Sequence, residues 1–288
     1  MPGAPATRSG PRAKATGPVE RFPHVGSVAM TDLTSLSGRA ALVTGASRGI
    51  GYGIAAGLLA RGASVTVTGR KVPELEASAA SLAAETGAGP DRVLAVAGNA
   101  GDAAHRTDAV DRTVAAFGSL DVLVNNAGTN PHYGPLVEAD LDAVRKVFDV
   151  NVVAALGFVQ EAHRAWLGTH GGSVVNVASV GGLRPAGAIA AYGASKAALI
   201  KITEDLAGQL GPGIRVNAVA PAVVKTRFAE ALYAHDEEGV AATYPLKRLG
   251  VPADVAEAVA FLVSDAASWI TGETLRIDGG SLATGRHA

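Results

Sequence analysis

The sequence predicts an α/β fold in a single domain: a doubly wound parallel sheet with a short helical lid over its ligand-binding end. Three observations predict it. Short, nearly continuous apolar runs recur along the chain, as strands buried on both faces require. Segments with helical apolar spacing separate them, the alternation of a parallel sheet with right-handed crossovers. Glycine makes up 36 of 288 residues without a collagen-like period, so the excess belongs to turns and close backbone approaches.

Taken in order, residues 40–44 (AALVT) form a first strand. A glycine-rich turn follows, then GIAAGLLA at helical spacing. Residues 64–68 (SVTVT) are a β-branched strand, and 73–85 (PELEASAASLAAE) are rich in good helix formers. Further strands are 92–97, 121–125, 173–178, 214–220 and 274–278, with helices near 103–117, 138–167, 191–210 and 252–264. This order is that of a Rossmann-type sheet. Segment 222–250 follows the 214–220 strand and contains TRFAEALYAHDEEG. It reads as a short helical lid over the strands' carboxyl ends, where such sheets bind ligands.

Composition excludes several functions. With no cysteine there is no disulfide scaffold, thiolate metal site or cysteine nucleophile. The seven histidines are scattered and form no H-E-x-x-H pair, so no metal site is expected. The net charge of −1 argues against nucleic acid as a partner, and no apolar run has the length of a membrane span. Residues 1–29 carry five prolines, four glycines and no apolar periodicity. They read as part of a disordered extension over 1–36, with the domain at 37–288. Met30 opens a second start, and an over-extended start is the favoured reading of the tail; a transit or interaction segment is the other. Without the apolar stretch of a secretory signal, a cytoplasmic location is expected.

Three motifs carry chemistry. The first is Thr44-Gly45-Ala46-Ser47-Arg48-Gly49-Ile50-Gly51, between a strand and a helix. Gly45 permits a tight turn, Gly49 a backbone approach to a pyrophosphate, and Gly51 close helix–strand packing. A glycine-rich turn without a ligand is the competing reading. Second, the 64–68 strand ends in Thr68-Gly69-Arg70-Lys71, without the carboxylate that would bind a ribose 2′-hydroxyl. Arg70 and Arg48 can instead clamp a 2′-phosphate, which selects NADP(H) over NAD; two solvated arginines are the alternative. Third, Tyr192 and Lys196 stand four residues apart on one helix face. A neighbouring ammonium favours a phenolate, so the pair can form a tyrosine general acid/base. Taken alone, Y-x-x-x-K is also an ordinary helix with one exposed lysine.

Asn125-Asn126-Ala127-Gly128, Asn151, Ser179, Tyr192/Lys196, Arg215-Val216-Asn217, Pro221 to Thr226 and Asp278-Gly279-Gly280 follow the glycine motif in order. In this the chain resembles the short-chain dehydrogenases/reductases over about residues 37–281. The resemblance implies four catalytic residues. Tyr192 exchanges the proton with the carbonyl or alcohol. Lys196 binds the nicotinamide ribose and lowers the Tyr192 pKa. Ser179 hydrogen-bonds the substrate oxygen. Asn151 holds a water that relays protons to Lys196. It also implies cofactor contacts at Asn126, Ala127 and Gly128, and at Pro221, Val224 and Thr226. Two departures stand out. Asn99-Ala100 replaces the aspartate that often meets the adenine, and an amide can keep that contact. Pro221-Ala222 replaces proline-glycine, and alanine disfavours positive φ.

Among these relatives the chain is most similar to 3-oxoacyl-[acyl-carrier-protein] reductases and to NADP-linked carbonyl/retinol reductases. The expected substrate is a ketone, its alcohol or an acyl thioester, met by Ser179, His132, Tyr133, Leu183, Phe228 and Leu232. These side chains suggest an apolar ketone or acyl chain, and plain packing is the alternative for each. An acidic carrier protein needs a basic landing patch, and the charges near Arg145, Lys146 and Lys201 make only a weak one. The resemblance further implies a homo-oligomer, a tetramer built through the long helices and the last strand. A non-catalytic dinucleotide sensor, or an epimerase or dehydratase on this fold, are the other classes weighed.

Overall fold

The fold is described here for residues 32–284 in a computed structural model of the chain. The apolar runs form seven strands: β1 (Ala40–Val43), β2 (Ser64–Gly69), β3 (Val93–Ala97), β4 (Val122–Asn125), β5 (Gly172–Val177), β6 (Ile214–Pro221) and β7 (Thr274–Ile277). They lie in the order β3-β2-β1-β4-β5-β6-β7, and every pairing is parallel. The order reverses between β1 and β4, so a crevice opens there at the strands' carboxyl ends.

The helices are α1 (Gly49–Ala60), α2 (Val72–Thr86), α3 (Ala103–Phe117), α4 (Leu141–Phe148), α5 (Ala154–Ala162), α6 (Gly168–His170), α7 (Ala190–Leu210), α8 (Glu237–Thr243) and α9 (Pro252–Val263). Alternation along the strands splits the core in two. Val43, Val65, Val124 and Val175 meet Ile54 and Leu58 of α1 and Val259 of α9. Leu42, Leu123, Val174 and Val216 meet Val110 of α3, Phe158 of α5 and Leu206 of α7. Each large apolar side chain so buried contributes ~1.5–3 kcal/mol. Helices α1 and α9 touch because α1 presents Gly53, where a Cβ would fall 2.7 Å from the Pro252 side chain.

A buried polar ladder ties the second face together. Asn125 Nδ2 donates to Asn176 Oδ1 at 3.0 Å, and Asn176 Nδ2 donates to Thr203 Oγ1 of α7 at 2.9 Å. Asn125 and Asn176 are register partners on β4 and β5. Arg215 on β6 donates to the carbonyls of Leu262 (2.6 Å) and Ser264 (3.1 Å), closing the end of α9. Asn217 donates to Ile270 O and accepts from Glu273 N, which delivers the chain into β7.

The structure differs from the sequence expectation in two places. The helix expected over 138–167 begins at Leu141, because the Asp140 side chain caps Asp142 N, and it continues to His170. Two π-helical stretches, Asp149–Val153 and His163–Leu167, interrupt it. The expected extension over 1–36 falls mostly outside the described residues, but its last part belongs to the domain. Asp32–Thr34 is a 3-10 turn, and Leu36 is buried against the core with its N–H on Arg61 O. The lid contains a 3-10 turn, Glu230–Leu232, and α8. Its two ends are stitched together: Lys225 N donates to Gly250 O (2.8 Å), Gly250 N to Val223 O (3.1 Å), and Arg248 grips Asp254 through two 2.7 Å bonds. Among the described residues no helix is long and apolar enough to cross a membrane.

Candidate active site

The turn after β1 is built for close approach. Gly45 has φ +64, and a Cβ there would lie 2.9 Å from Ala127 Cα. A Cβ on Gly51 would collide with Asn126 Nδ2. Thr44 holds the two crevice strands together: its Oγ1 accepts from Asn126 N and Ala127 N, both at 3.0 Å. Asn126 returns the grip, donating to the carbonyls of Thr44 and Gly45. Ser47 O takes the Ser78 hydroxyl at 2.7 Å, and Ile50 packs on the core. Helix α1 opens at Arg48 with no side-chain cap and no acidic residue in its first turn. Its N–H groups and positive dipole end therefore suit an anion. These residues fit the pyrophosphate of a dinucleotide, with small backbone-facing positions at Gly45, Gly49, Ala127 and Gly128.

Around this turn lie the other expected contacts. Arg70 is exposed at the end of β2 and, among the described residues, has no ion-pair partner. Arg48 lies 3.7 Å and Lys71 2.7 Å from Glu74, whose pKa is lowered by the Lys71 hydrogen bond and by Lys71, Arg48 and Arg227 charge. Arg48, Arg70, Lys71 and Arg227 make a basic rim that fits a phosphate. Asn99 is exposed after β3, with Oδ1 on Gly101 N, and Ala100 O accepts from Arg106. Pro221 ends β6, Val224 is buried in the lid's stitch, and Thr226 sits over Gly49, 3.3 Å from where its Cβ would be. Ala222 does not have positive φ, so alanine there is unstrained.

The four expected catalytic residues converge. Ser179 caps the 3-10 turn Val180–Gly182 just past β5, its Oγ accepting from Gly181 N at 3.1 Å. Its side chain also hydrogen-bonds Tyr192. Tyr192 and Lys196 lie in the first turns of α7, with Lys196 Nζ 5.6 Å from the Tyr192 ring centroid. Lys196 Nζ donates to Val177 O at 2.6 Å. Asn151 is buried in the first π stretch, which turns it toward the loop after β4. Its amide is fully engaged: Oδ1 accepts from Thr129 N (2.8 Å), and Nδ2 donates to Thr129 O (3.1 Å) and Ser195 Oγ (2.9 Å). A Cβ on Gly128 would meet both Asn151 Oδ1 and Lys196 Nζ.

The Tyr192 phenol feels two opposed effects. Burial pushes it up to about 12, outweighing the opposing hydrogen bond with Ser179. The same burial brings Lys196 down to about 8. A phenol held high is a proton donor at neutral pH, and the arrangement can protonate an oxygen placed between Ser179 and Tyr192.

The expected substrate contacts separate. Phe228 reaches the site from the lid, its ring centroid 6.0 Å from that of Tyr192. Leu232 closes the lid's 3-10 turn. His132 and the 67% exposed Tyr133 belong to a loop joined to the α7 entrance by Gly134 N on Ala188 O. Leu183 is exposed and lines an open groove with Ala190, Gly193, Ala194 and Ala197. Sequence reasoning quoted Thr44, Ser195 and Asn130 only as members of motifs and gave them no role, and it did not single out Arg184. Thr44 and Ser195 bond groups distant in the chain, and no local spacing announces that. Asn130 adjoins the loop residues that were singled out, and Arg184 lies between Ser179 and Tyr192, so position alone could have flagged both.

A family model described as Enoyl-(Acyl carrier protein) reductase matches residues 45–281. Short-chain dehydrogenase/reductase SDRA of Arabidopsis thaliana is 37% identical over 250 residues, covering 85% of this chain and 95% of that protein. Dehydrogenase/reductase SDR family member 4 of Homo sapiens is 36% identical over 264 residues, covering 90% and 92%. A blue fluorescent protein from a metagenomic library, crystallised in complex with NADPH, superposes with a TM-score of 0.78 at 34% identity, covering 86% of this chain and 99% of that one. The glycine turn, the Ser179–Tyr192–Lys196 grouping and these matches over most of the chain lead to one assignment. The chain belongs to the short-chain dehydrogenases/reductases and is an oxidoreductase of that family.

Proposed function

We propose that the protein is an NADP(H)-dependent reductase that converts a ketone or 3-oxoacyl thioester to the hydroxy compound, with Tyr192 as the general acid. The observation that carries this reading is the convergence of Ser179, Tyr192 and Lys196 beside the glycine turn: Ser179 sits just past β5, Lys196 Nζ lies 5.6 Å from the Tyr192 ring centroid and donates to Val177 O, and Gly128 adjoins Lys196 Nζ. A phenol so placed is protonated at neutral pH and can give its proton to a carbonyl oxygen. Ser179 positions the substrate oxygen, Lys196 holds the nicotinamide ribose, and Asn151 fixes the loop at Thr129 beside them. NADP(H), when bound, supplies the hydride. Arg70 and its basic rim favour the phosphorylated dinucleotide, in keeping with the NADPH in the metagenomic relative.

Of the two substrate classes, one observation favours a small carbonyl compound over a carrier-protein thioester. Two of the three basic residues expected to receive an acidic carrier are already paired, Arg145 with Asp142 and Lys201 with Glu204 and Asp205, which leaves Lys146 alone of the three without an ion pair among the described residues. The human relative's name as a dehydrogenase/reductase fits either class. A homotetramer goes with this reading: β7 is a sheet edge, and Trp269 beside it is 98% exposed.

The test is loss of reduced-cofactor absorbance, NADPH beside NADH, with acetoacetyl-coenzyme A and a hydrophobic diketone. Turnover with NADPH is expected. Arg70→Ala is expected to lower the NADPH-over-NADH ratio of kcat/KM by roughly tenfold, the scale of one charge-assisted phosphate contact. An unchanged ratio would remove Arg70 from the phosphate site.

A further inference from the structure

Glu74 is the carboxylate inside the basic rim of the dinucleotide site. Its backbone is pinned there. The Ser78 hydroxyl lies 2.7 Å from both Glu74 O and Ser47 O, which ties the first turn of α2 to the glycine turn. Leu75, the next residue, is fully buried and packs against Gly69 at the end of β2. From this fixed position the Glu74 side chain meets Lys71 at 2.7 Å and Arg48 at 3.7 Å. The Lys71 hydrogen bond and the charges of Lys71, Arg48 and Arg227 hold its carboxyl below the usual range.

The third of these cations belongs to the lid. Arg227 is exposed, and among the described residues its guanidinium makes no hydrogen bond or ion pair. Its two neighbours both face the site: Thr226 stands over Gly49, and the Phe228 ring centroid lies 6.0 Å from that of Tyr192. Three consecutive lid residues therefore address the glycine turn, Glu74 and the Tyr192 phenol. The contact between Arg48 and Glu74 joins two half-exposed groups, and such pairs are weak and screened by salt. A phosphate monoester carries more charge than a carboxylate and has three strong acceptor oxygens, so it can take the same cations.

We propose that Glu74 is a built-in rival of the 2′-phosphate of NADP(H), and that Arg227 passes from the carboxylate to the phosphate. Glu74 thereby sets how strongly the phosphorylated dinucleotide is preferred, and Arg227 fastens the lid to that form of the cofactor alone. This rests on the NADP(H) reading above and adds two residues to it, Glu74 acting against the phosphate and Arg227 for it. Like charges side by side repel, so a carboxylate held among the phosphate's cations weakens binding, while a guanidinium free to pair with the phosphate strengthens it.

The test is fluorescence titration of NADPH and of NADH, without substrate, on the parent, Glu74→Gln and Arg227→Met. Glu74→Gln is expected to raise the NADPH-over-NADH affinity ratio by about three- to tenfold, and Arg227→Met to lower it by as much, both effects shrinking at high salt. The lid gives a second readout. Chymotrypsin cleavage after Phe228, Leu232 or Tyr233 is expected to slow at least about threefold more with saturating NADP+ than with saturating NAD+, and Arg227→Met to erase that difference. A carboxylate that only favours the start of α2 predicts a lower Tm for Glu74→Gln with an unmoved affinity ratio, and that result overturns the proposal. So does a ratio unmoved by Arg227→Met, or lid cleavage blind to the 2′-phosphate. Should Arg70→Ala lower the ratio while neither Glu74→Gln nor Arg227→Met moves it, the proposal falls and the NADP(H) reading stands. A parent without NADPH preference sinks the NADP(H) reading; a preference that then appears in Glu74→Gln supports the rivalry, and its absence there overturns both.

Discussion

Tyr192 and Lys196 share one face of α7, and burial moves their proton affinities in opposite senses, up to about 12 and down to about 8. Tyr192→Phe keeps the ring and its packing beside Phe228 but removes the proton. Turnover is expected to fall about a thousandfold, within the range of a lost general acid, while NADPH binding by fluorescence titration stays intact. Retained turnover would exclude the role given to Tyr192. For Lys196 the consequence is stability. An amine held below its ordinary 10.5 binds fewer protons folded than unfolded between about 8 and 10.5. Stability therefore rises with pH across that window, and the penalty is full below it. Lys196→Met removes the penalty and leaves Val177 O without its donor. The variant is expected to be inactive yet more stable by roughly 1–2 kcal/mol at pH 7, a gain that fades toward pH 10.5. A Tm at pH 7 below that of the parent would contradict this.

Among the elements, the β1 turn depends on a residue that the strand pattern hides. Thr44 reads as one more β-branched residue ending AALVT, yet its hydroxyl holds two backbone N–H groups from the far strand. Thr44→Val keeps the shape and strands both donors. It is expected to cost roughly 2–4 kcal/mol and to weaken dinucleotide binding, whereas Thr44→Ser stays near the parent. Thermal unfolding and a cofactor titration check it; a Val variant as stable as the Ser variant would count against the role. The contrast explains what was legible. The strands were readable because both faces of a parallel sheet demand apolar runs, and β1 and β5 fall where AALVT and SVVNVA stand. The glycine turn, Ser179, Tyr192 and Lys196 were readable as fixed spacings. The π stretch that presents Asn151 was not, since DVNVV carries no local signal for it. Nor was the raised Tyr192 phenol, because desolvation depends on what packs around the residue rather than on Lys196 four positions away.

For the molecule as a whole, the sheet ends in two edges, β3 and β7. Among the described residues β7 has no neighbour beyond it, Leu275 is partly exposed there, and Trp269 stands beside it almost fully in solvent. Unpaired edges next to large exposed aromatics invite association. Trp269→Glu is expected to shift the protein to a smaller species by light scattering while its circular dichroism is unchanged. An unaltered mass would exclude Trp269 from a contact between copies.

The stitch at Val224 and Gly250 also governs how such a protein can change over generations. The chain leaves the sheet and returns to it through one doorway, so residues 226–249 hang from a closed loop whose ends stay fixed. Lengthening a loop with fixed ends costs little, about 0.6 kcal/mol for each doubling. Insertions, deletions or a grafted segment inside the doorway would leave the proton-transfer groups on β5 and α7 where they are. The molecule is thus partitioned into an engine on β5 and α7 and a reader hung between two fixed points, and rewriting the second needs no retuning of the first.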